Sequence, residues 1–289
     1  MLNTCYARIS INMAPARERK YLAIDVGGSK TLLAVFSTSG DVVKRYKIPT
    51  NPVYRKFLKD LEVEFKKLLG DHDILFCCCA VPGRIERKRG LAVTLGNLNW
   101  HNAPIAKDIK ALIKGAPVLV ENDANLGGLS EASLIPSRYK KVLYLTVGTG
   151  IGAGFITNGK ISADFADSEV GHMVLQHEGQ LAKWETFASG RALRQKYGKK
   201  ASEINDPAIW SEYAKNLALG LDTLIALLQP DIVIIGGGIG AHFDKFGSKL
   251  AAALKEFENN MVKIPPIVKA KRPEEAVIYG CYQLIRSAS

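Results

Sequence analysis

The chain has 289 residues, 47% of them hydrophobic, with 39 Lys and Arg against 28 Asp and Glu for a formal net charge of +11. That length suits two lobes, each able to bury its own core, and no apolar run approaches the roughly 20 residues that span a bilayer. The cysteines are Cys5, Cys77, Cys78, Cys79 and Cys281. Their odd count and lack of C-x-x-C spacing exclude a disulfide framework and a cysteine zinc site, and point to a reducing, cytoplasmic home.

The basic residues are spread along the chain. Their densest cluster, Arg84 to Arg89, lies where a hairpin tip is expected and reads as a solvated turn. No recognition motif or aromatic-interleaved basic stripe accompanies it, so nucleic acid is not the expected partner. An anionic nucleotide substrate would suit the charge.

Met1 to Lys20 lacks the continuous apolar core of a secretory signal and reads as a flexible lead-in. From Tyr21 the pattern is strand, glycine turn, strand: Tyr21–Asp25, then Thr31–Phe36, with Ser39-Gly40-Asp41 turning into a third strand through Tyr46. Tyr54 to Leu69 places Phe57, Leu58, Leu61 and Phe65 on one face, as a helix does. A strand from Ile74 to Val81 stops at Pro82-Gly83. After a hairpin-like stretch, Pro104 opens a helix that ends at Gly115. The apolar run Pro117–Val120 then delivers Glu121, Asn122 and Asp123 to a strand end.

The second half begins like the first: strand Val142–Thr146, glycine turn, strand Gly154–Thr157, turn Asn158-Gly159. This is a weak internal repeat of Tyr21 to Gly40 and implies duplicated α/β lobes with mixed sheets. Tyr213 to Leu228 is a strong apolar helix stopped at Pro230, and Asp231–Ile235 is a buried strand feeding a glycine turn and another helix. A last helix, Glu274–Ile285, is expected to pack back on the first lobe. The expected organisation is an extension over 1–20, a first lobe over 21–122 completed by a helix within 273–289, and a second lobe over 123–272. Hinges fall near Asp123 and shortly before Pro273, with a cleft between the lobes.

Three glycine turns carry the chemistry. In Asp25-Val26-Gly27-Gly28-Ser29-Lys30, loop amides hold a phosphate while the Asp25 carboxylate orients a metal-bound water. Thr146-Val147-Gly148-Thr149-Gly150 has the same setting, and Thr149 adds a hydroxyl donor. Gly236-Gly237-Gly238-Ile239-Gly240-Ala241 fits G-x-G-x-x-A, so a dinucleotide turn of an NAD(P) enzyme is its rival reading. Its place near the end of the chain favours a backbone turn against adenosine and the adjacent phosphate. One carboxylate among several phosphate cradles suggests phosphoryl transfer to a hydroxyl, with Asp123 as the base. Asn122 and Asp123 also both suit a helix cap. Glu169, His172 and Glu185 add polar groups in the second half, although a histidine such as His172 is ordinarily a satisfied core residue.

In order and spacing, these motifs resemble those of the ROK family of sugar kinases within the actin-like ATPase superfamily, over nearly the whole chain from Tyr21. Asp25–Lys30 is similar to DxGGTK with Ser29 for Thr, and Val81-Pro82-Gly83 to VPG. Asn97-Leu98-Asn99-Trp100 resembles NLxxW, Glu121–Asn125 matches ENDAN, and Thr146–Gly152 matches TxGTGIG. Glu169–Met173 is similar to EIGHM, and Trp184–Gly190 resembles the segment with the family's sugar-binding Glu before ASG.

The resemblance implies a two-lobed ribonuclease H-like fold closing on a sugar and ATP with Mg²⁺, often as a dimer. It implies Asp123 as general base, with Asn122, Glu169, His172 and Glu185 at the sugar hydroxyls and Asn97 in the same shell. Two departures stand out. Gln176–Lys183 has no cysteine where many members carry a zinc cluster, so no structural zinc is expected. Ala163–Ser168 replaces a glycine-rich approach to EIGHM, which reshapes the sugar pocket. The implied activity is phosphorylation of a hexose 6-hydroxyl, with glucose first and N-acetylhexosamines, fructose or mannose as alternatives. Polyphosphate is the alternative donor. A non-catalytic ROK sugar sensor is the other class, but only Met1–Lys20 precedes the first strand, too little for a helix-turn-helix domain.

Overall fold

A computed structural model describes residues 18–70, 72–96 and 98–288. Residues 1–17, most of the expected extension, lie outside the described part, and the first strand begins at Arg19, ahead of the expected Tyr21.

The first half runs β1 (Arg19–Val26), β2 (Lys30–Ser37), β3 (Val42–Pro49), α1 (Tyr54–Leu69) and β4 (Asp73–Val81). A small antiparallel meander follows, β5 (Arg84–Glu86), β6 (Leu91–Leu95) and β7 (Leu98–Ala103), and α2 (Ile105–Leu112) leads to β8 (Val118–Asn122). The second half runs α3 (Asp123–Ala132), β9 (Lys141–Val147), β10 (Ile151–Thr157), β11 (Lys160–Ile161), the hairpin β12 (Val174–His177) and β13 (Gln180–Lys183), α4 (Glu185–Ala188), α5 (Gly190–Tyr197) and α6 (Pro207–Leu228). It closes with β14 (Ile232–Gly236), α7 (Gly237–Gly240), α8 (Phe243–Lys255), β15 (Ile267–Lys269) and α9 (Ala276–Ala288).

Each half builds a five-stranded sheet of the same design, in the orders β3-β2-β1-β4-β8 and β11-β10-β9-β14-β15. In both, the leading strand pairs antiparallel with its hairpin partner and parallel with the strand on its other side. The weak repeat in the sequence is thus a repeat of topology.

Strand periodicity sorts the side chains between the faces. On one face of the first sheet, Leu22, Ile24, Leu33, Cys77 and Cys79 pack on Phe57, Leu61 and Phe65 of α1 and Ile105 of α2. On the other, Ala23, Phe36, Cys78 and Ala80 pack on Ile278, Cys281 and Ile285 of α9. The cysteine trio therefore behaves as alternating small core residues. In the second sheet, Leu143, Leu145 and Ile235 bury against Leu217 and Leu221 of α6 and Phe246 and Leu250 of α8.

Helix α6 begins at Pro207, earlier than the apolar periodicity from Tyr213 suggests, because Asp206 accepts the Ala208 N–H at 2.8 Å and Pro207 occupies the first turn. The short β12–β13 hairpin has no counterpart among the expected elements. Among the described residues, no helix is long and apolar enough to cross a membrane.

Helix α3, which starts at Asp123, is the joint. It packs on β9 and β10 of the second sheet and crosses α9, which covers the first. The crossing is tight: a Cβ on Gly280 would lie 1.9 Å from the Leu126 carbonyl oxygen, and one on Gly127 would lie 2.7 Å from the Tyr144 ring. At its C-terminal end the buried Glu131 carboxylate accepts the backbone N–H groups of Lys271 and Arg272, each at 2.7 Å. Gly280→Ala should therefore force the helices apart and destabilise the protein by about 1–3 kcal/mol, as overpacking does. Denaturant unfolding measures this directly, and an unchanged midpoint would contradict the close crossing.

Candidate active site

Asp123 stands where β8 turns into α3. Asn122 caps that helix: its Oδ1 accepts from the N–H groups of Ala124 at 2.9 Å and Asn125 at 3.3 Å. Its Nδ2 donates to the Gly83 carbonyl at 3.3 Å, so the carboxamide ties the cap to the Val81-Pro82-Gly83 strand end. Asp123 accepts the Ala124 N–H at 2.8 Å. A carboxylate at a helix N-terminus is normally stabilised, yet here burial prevails and raises its pKa to about 6. The Ala124 N–H works against that rise, and the charge of Glu169 adds to it.

Asp25 ends β1, opposite Leu32 and Ala80. Burial pushes its carboxyl up to about 7; the Asp123 charge adds to this and Lys47 opposes it. Glu169 is also raised, by burial first, with His172 lowering it and Glu185 and Asp167 raising it. The fold thus links the acids in succession, Asp25 feeling Asp123, Asp123 feeling Glu169, and Glu169 feeling Glu185.

These groups surround a cleft of about 280 Å³. From the first half Gly27, Gly28, Pro82, Gly83 and Asn122 line it; from the second, Asp123, Thr146, Gly148, Thr149, Gly150, Ser168, Glu169 and Glu185 do so. A second groove of about 570 Å³ shares Gly148 and Thr149 with it and continues past Gly238, Ile239 and His242. Its other wall is basic, with Arg191 and Arg194 of α5 and Lys200. A cavity with carboxylates at one end therefore runs into a groove with cations at the other. The basic wall is absent from the sequence-predicted site, although Arg191 and Arg194, spaced for one helix face directly after Ser189-Gly190, are its signal in the sequence.

The remaining candidates fall around this pair of cavities. Ser29 and Lys30 are exposed at the rim of the first turn, where the Ser29 carbonyl accepts the Thr50 N–H at 3.0 Å. Gly238 opens onto the groove, with nothing within 4 Å of a built Cβ. Gly236 and Gly237 serve the turn from behind it: a Cβ on Gly236 would meet the Tyr144 hydroxyl at 2.3 Å, and Gly237 has φ +78°. His172 is half exposed, 3.8 Å from Glu185 Oε1 and 3.4 Å from Lys183 Nζ. Gly150 and Gly171 let Glu185 approach, since a Cβ on Gly150 would lie 2.6 Å from its Oε2. Asn97 lies outside the described residues.

Arg87 is not a solvated turn residue: its guanidinium pairs with both Glu121 oxygens and with Asp167. A basic turn in sequence shows only charge, and the acids that capture it come from distant segments.

Among the described residues, no group of three or more His, Cys, Asp or Glu is arranged to hold a metal ion. Where the family resemblance would set a zinc loop, His177 stacks on Phe187 at 4.1 Å and faces Asn216 at 3.2 Å. Mg²⁺ asks for less, being held by one or two carboxylates with waters and substrate phosphates. Two half-buried acids with raised pKa values, Asp25 and Asp123, fit that demand.

The same strain has a stability consequence. A folded-state pKa above the unfolded value means that folding favours the protonated acid, so stability is lost as pH rises toward and through about 7. Asp25→Asn should raise the Tm at pH 8, with the gain shrinking as the pH falls toward about 5. A lower Tm than wild type at pH 8 would contradict the repulsion.

Comparison with known proteins agrees with this architecture. The ROK family model matches residues 21–288. N-acetyl-D-glucosamine kinase of Haemophilus influenzae is 28% identical over 303 aligned positions, covering 91% of this chain and 98% of that protein. A glucokinase of Streptomyces coelicolor is 23% identical, covering 92% and 97%. The solved ROK glucokinase of Streptomyces griseus, in complex with glucose and AMPPNP, superimposes with a TM-score of 0.80 at 22% identity, over 93% of this chain and 99% of that one. The shared fold is that of the actin-like ATPases. With the family model spanning all but the ends of its sequence, the chain belongs to the ROK family.

Proposed function

We propose that the chain is an ATP-dependent sugar kinase that phosphorylates the primary 6-hydroxyl of a hexose, glucose first, with Asp123 as general base. The observation that carries this reading is the position of Asp123: a half-buried carboxylate, raised to about 6, in the acidic cleft that shares Gly148 and Thr149 with the basic groove.

The hydroxyl proton passes to Asp123 as the sugar oxygen attacks the γ-phosphorus. The new O–P bond forms as the bond from that phosphorus to the β,γ-bridging oxygen breaks, releasing ADP. A base with a pKa close to the working pH suits that transfer, and positioning with electrostatics supplies most of the rest. Glu169 and Glu185 accept hydrogen bonds from other sugar hydroxyls, joined by His172 and the Asn122 amide N–H. The amides of Gly28 and Gly150, with the Thr149 hydroxyl, face the phosphates, while the Gly27 and Gly148 N–H groups brace the two turns by donating to the Lys30 and Gly150 carbonyls, each at 3.0 Å; Gly238 with Arg191, Arg194 and Lys200 holds the nucleotide end. Asp25 is the residue that would hold Mg²⁺ through water, and that ion neutralises phosphate charge.

N-acetylglucosamine is the second reading, favoured by the 28% identity to the Haemophilus influenzae enzyme against 23% to the Streptomyces coelicolor one.

A coupled ADP-release assay with Mg-ATP or polyphosphate and a panel of hexoses and N-acetylhexosamines tests the reading. Asp123→Ala should lower kcat by roughly 10²–10⁴-fold, as loss of a general base does, and leave sugar KM within a few-fold. Near-wild-type activity in that variant would remove Asp123 as base, and no rate with any sugar or donor would favour a sensor. In the wild type, kcat/KM should fall as the pH drops through about 6, because protonated Asp123 cannot accept the hydroxyl proton. A profile flat down to about 4.5, near an unperturbed carboxylate, would contradict the assignment.

A further inference from the structure

The segment 163–168 departs from the family's glycine-rich pattern, and Arg87 is its anchor. From the turn between β5 and β6, Arg87 donates through Nε and Nη2 to the two oxygens of Glu121, at 2.8 and 2.7 Å. The same guanidinium donates to the Ala166 carbonyl at 3.0 Å and to Asp167. Asn125 repeats the link from α3, donating to Glu121 at 3.0 Å and to the Ala166 carbonyl at 2.8 Å. The side chain of Glu121 is only 7% exposed, and it also accepts the Asn122 backbone N–H at 2.8 Å. One buried carboxylate is thus joined to the backbone that presents Asp123 and, through Arg87 and Asn125, to the loop that runs through Ser168 into Glu169.

We propose that Arg87 is a positioning residue for the acceptor sugar: it fixes the 163–168 loop against the Asp123 strand end and so sets where Glu169 meets the sugar. This role rests on the kinase reading above. A planar fork of five donors suits the task, because it satisfies both Glu121 oxygens and still reaches a carbonyl and a second carboxylate. Lysine offers a point charge and cannot hold the four acceptors in one plane. A glycine-rich loop would take its shape from the backbone. This loop, with Asp164, Phe165 and Asp167, turns on its own backbone bonds from Phe165 to Ser162 and from Ser168 to Phe165, and is tied down at Ala166 and Asp167 by the arginine with Asn125.

Two variants separate position from fold. Arg87→Lys keeps a positive charge beside Glu121 but loses the fork. Asp167→Ala removes an arm whose side chain is 71% exposed, which leaves the core intact. With sugar varied at saturating Mg-ATP, sugar KM should rise about tenfold in Arg87→Lys and several-fold in Asp167→Ala, while kcat and the nucleotide KM stay within about threefold. The double variant should be little worse than Arg87→Lys, since both act through one link. Amide hydrogen exchange over Ala166–Glu169 should quicken in both single variants.

Unchanged sugar KM with unchanged exchange in both variants would overturn the role. So would a loss of kcat and Tm together at constant sugar KM, the mark of a structural residue only. A wild-type chain that phosphorylates no sugar overturns the kinase reading, and this role with it. Normal wild-type turnover with unaltered variants overturns the role alone.

Discussion

Everything at the centre of this molecule follows from carboxylates gathered in one half-buried place. Asp25 closes β1, Asp123 opens α3, and Glu169 ends the loop after β11; each is raised in pKa by burial, and each feels another acid. Such an arrangement costs stability at neutral pH, and proteins keep it where the charge has a use. Protons, a cation or hydroxyl donors would all relieve it. A polyhydroxylated substrate and a nucleotide with its Mg²⁺ bring the last two.

The rest of the fold keeps those acids in place. Helix α3 is capped by Asn122 at one end and holds the Lys271 and Arg272 amides with Glu131 at the other. Between these ends, Gly127 and Gly128 let it press on Tyr144, and Gly280 lets α9 cross it at Leu126. The helix that carries Asp123 is therefore seated on one sheet and held against the helix that covers the other. Glu121 extends the same restraint sideways: its oxygens meet Arg87, Asn125 and the Asn122 N–H, so the strand end, the β5–β6 turn and the loop before Glu169 share one anchor. Placement of acids to fractions of an ångström is what phosphoryl transfer asks of a protein.

The legible part of the sequence was the part written in local rules. Short apolar runs placed β1, β2, β4, β9 and β14. The glycine turns marked the loops that line the cleft and its groove, and the Asn-Asp pair marked the end of β8. Local rules fail where a partner comes from far away. Arg87 lies in a cluster of cations that looks solvated, and Glu121 and Asp167, 34 and 80 residues on, are what bury its role. The β12–β13 hairpin escaped for another reason: its strands have four residues each and mixed polarity, too short for periodicity to register. The first turns of α6 were missed although Asp206-Pro207 is a start signal, because the apolar run from Tyr213 drew the boundary inward. The spread of tasks within Gly236-Gly237-Gly238, two packing positions and one open one, depends on Tyr144 and Val147 and is invisible without them.

The central claim is that Asp123 takes the proton from a sugar hydroxyl as a phosphoryl group moves to that oxygen. Following Mg-ATP with glucose or N-acetylglucosamine by ³¹P NMR, in the wild type and in Asp123→Asn, tests it most directly. The account predicts a phosphomonoester signal split by the two C6 protons in the wild type, with ADP growing in step, and no such signal from the variant. Inorganic phosphate as the only product, or the same sugar phosphate formed at an equal rate by Asp123→Asn, would contradict it.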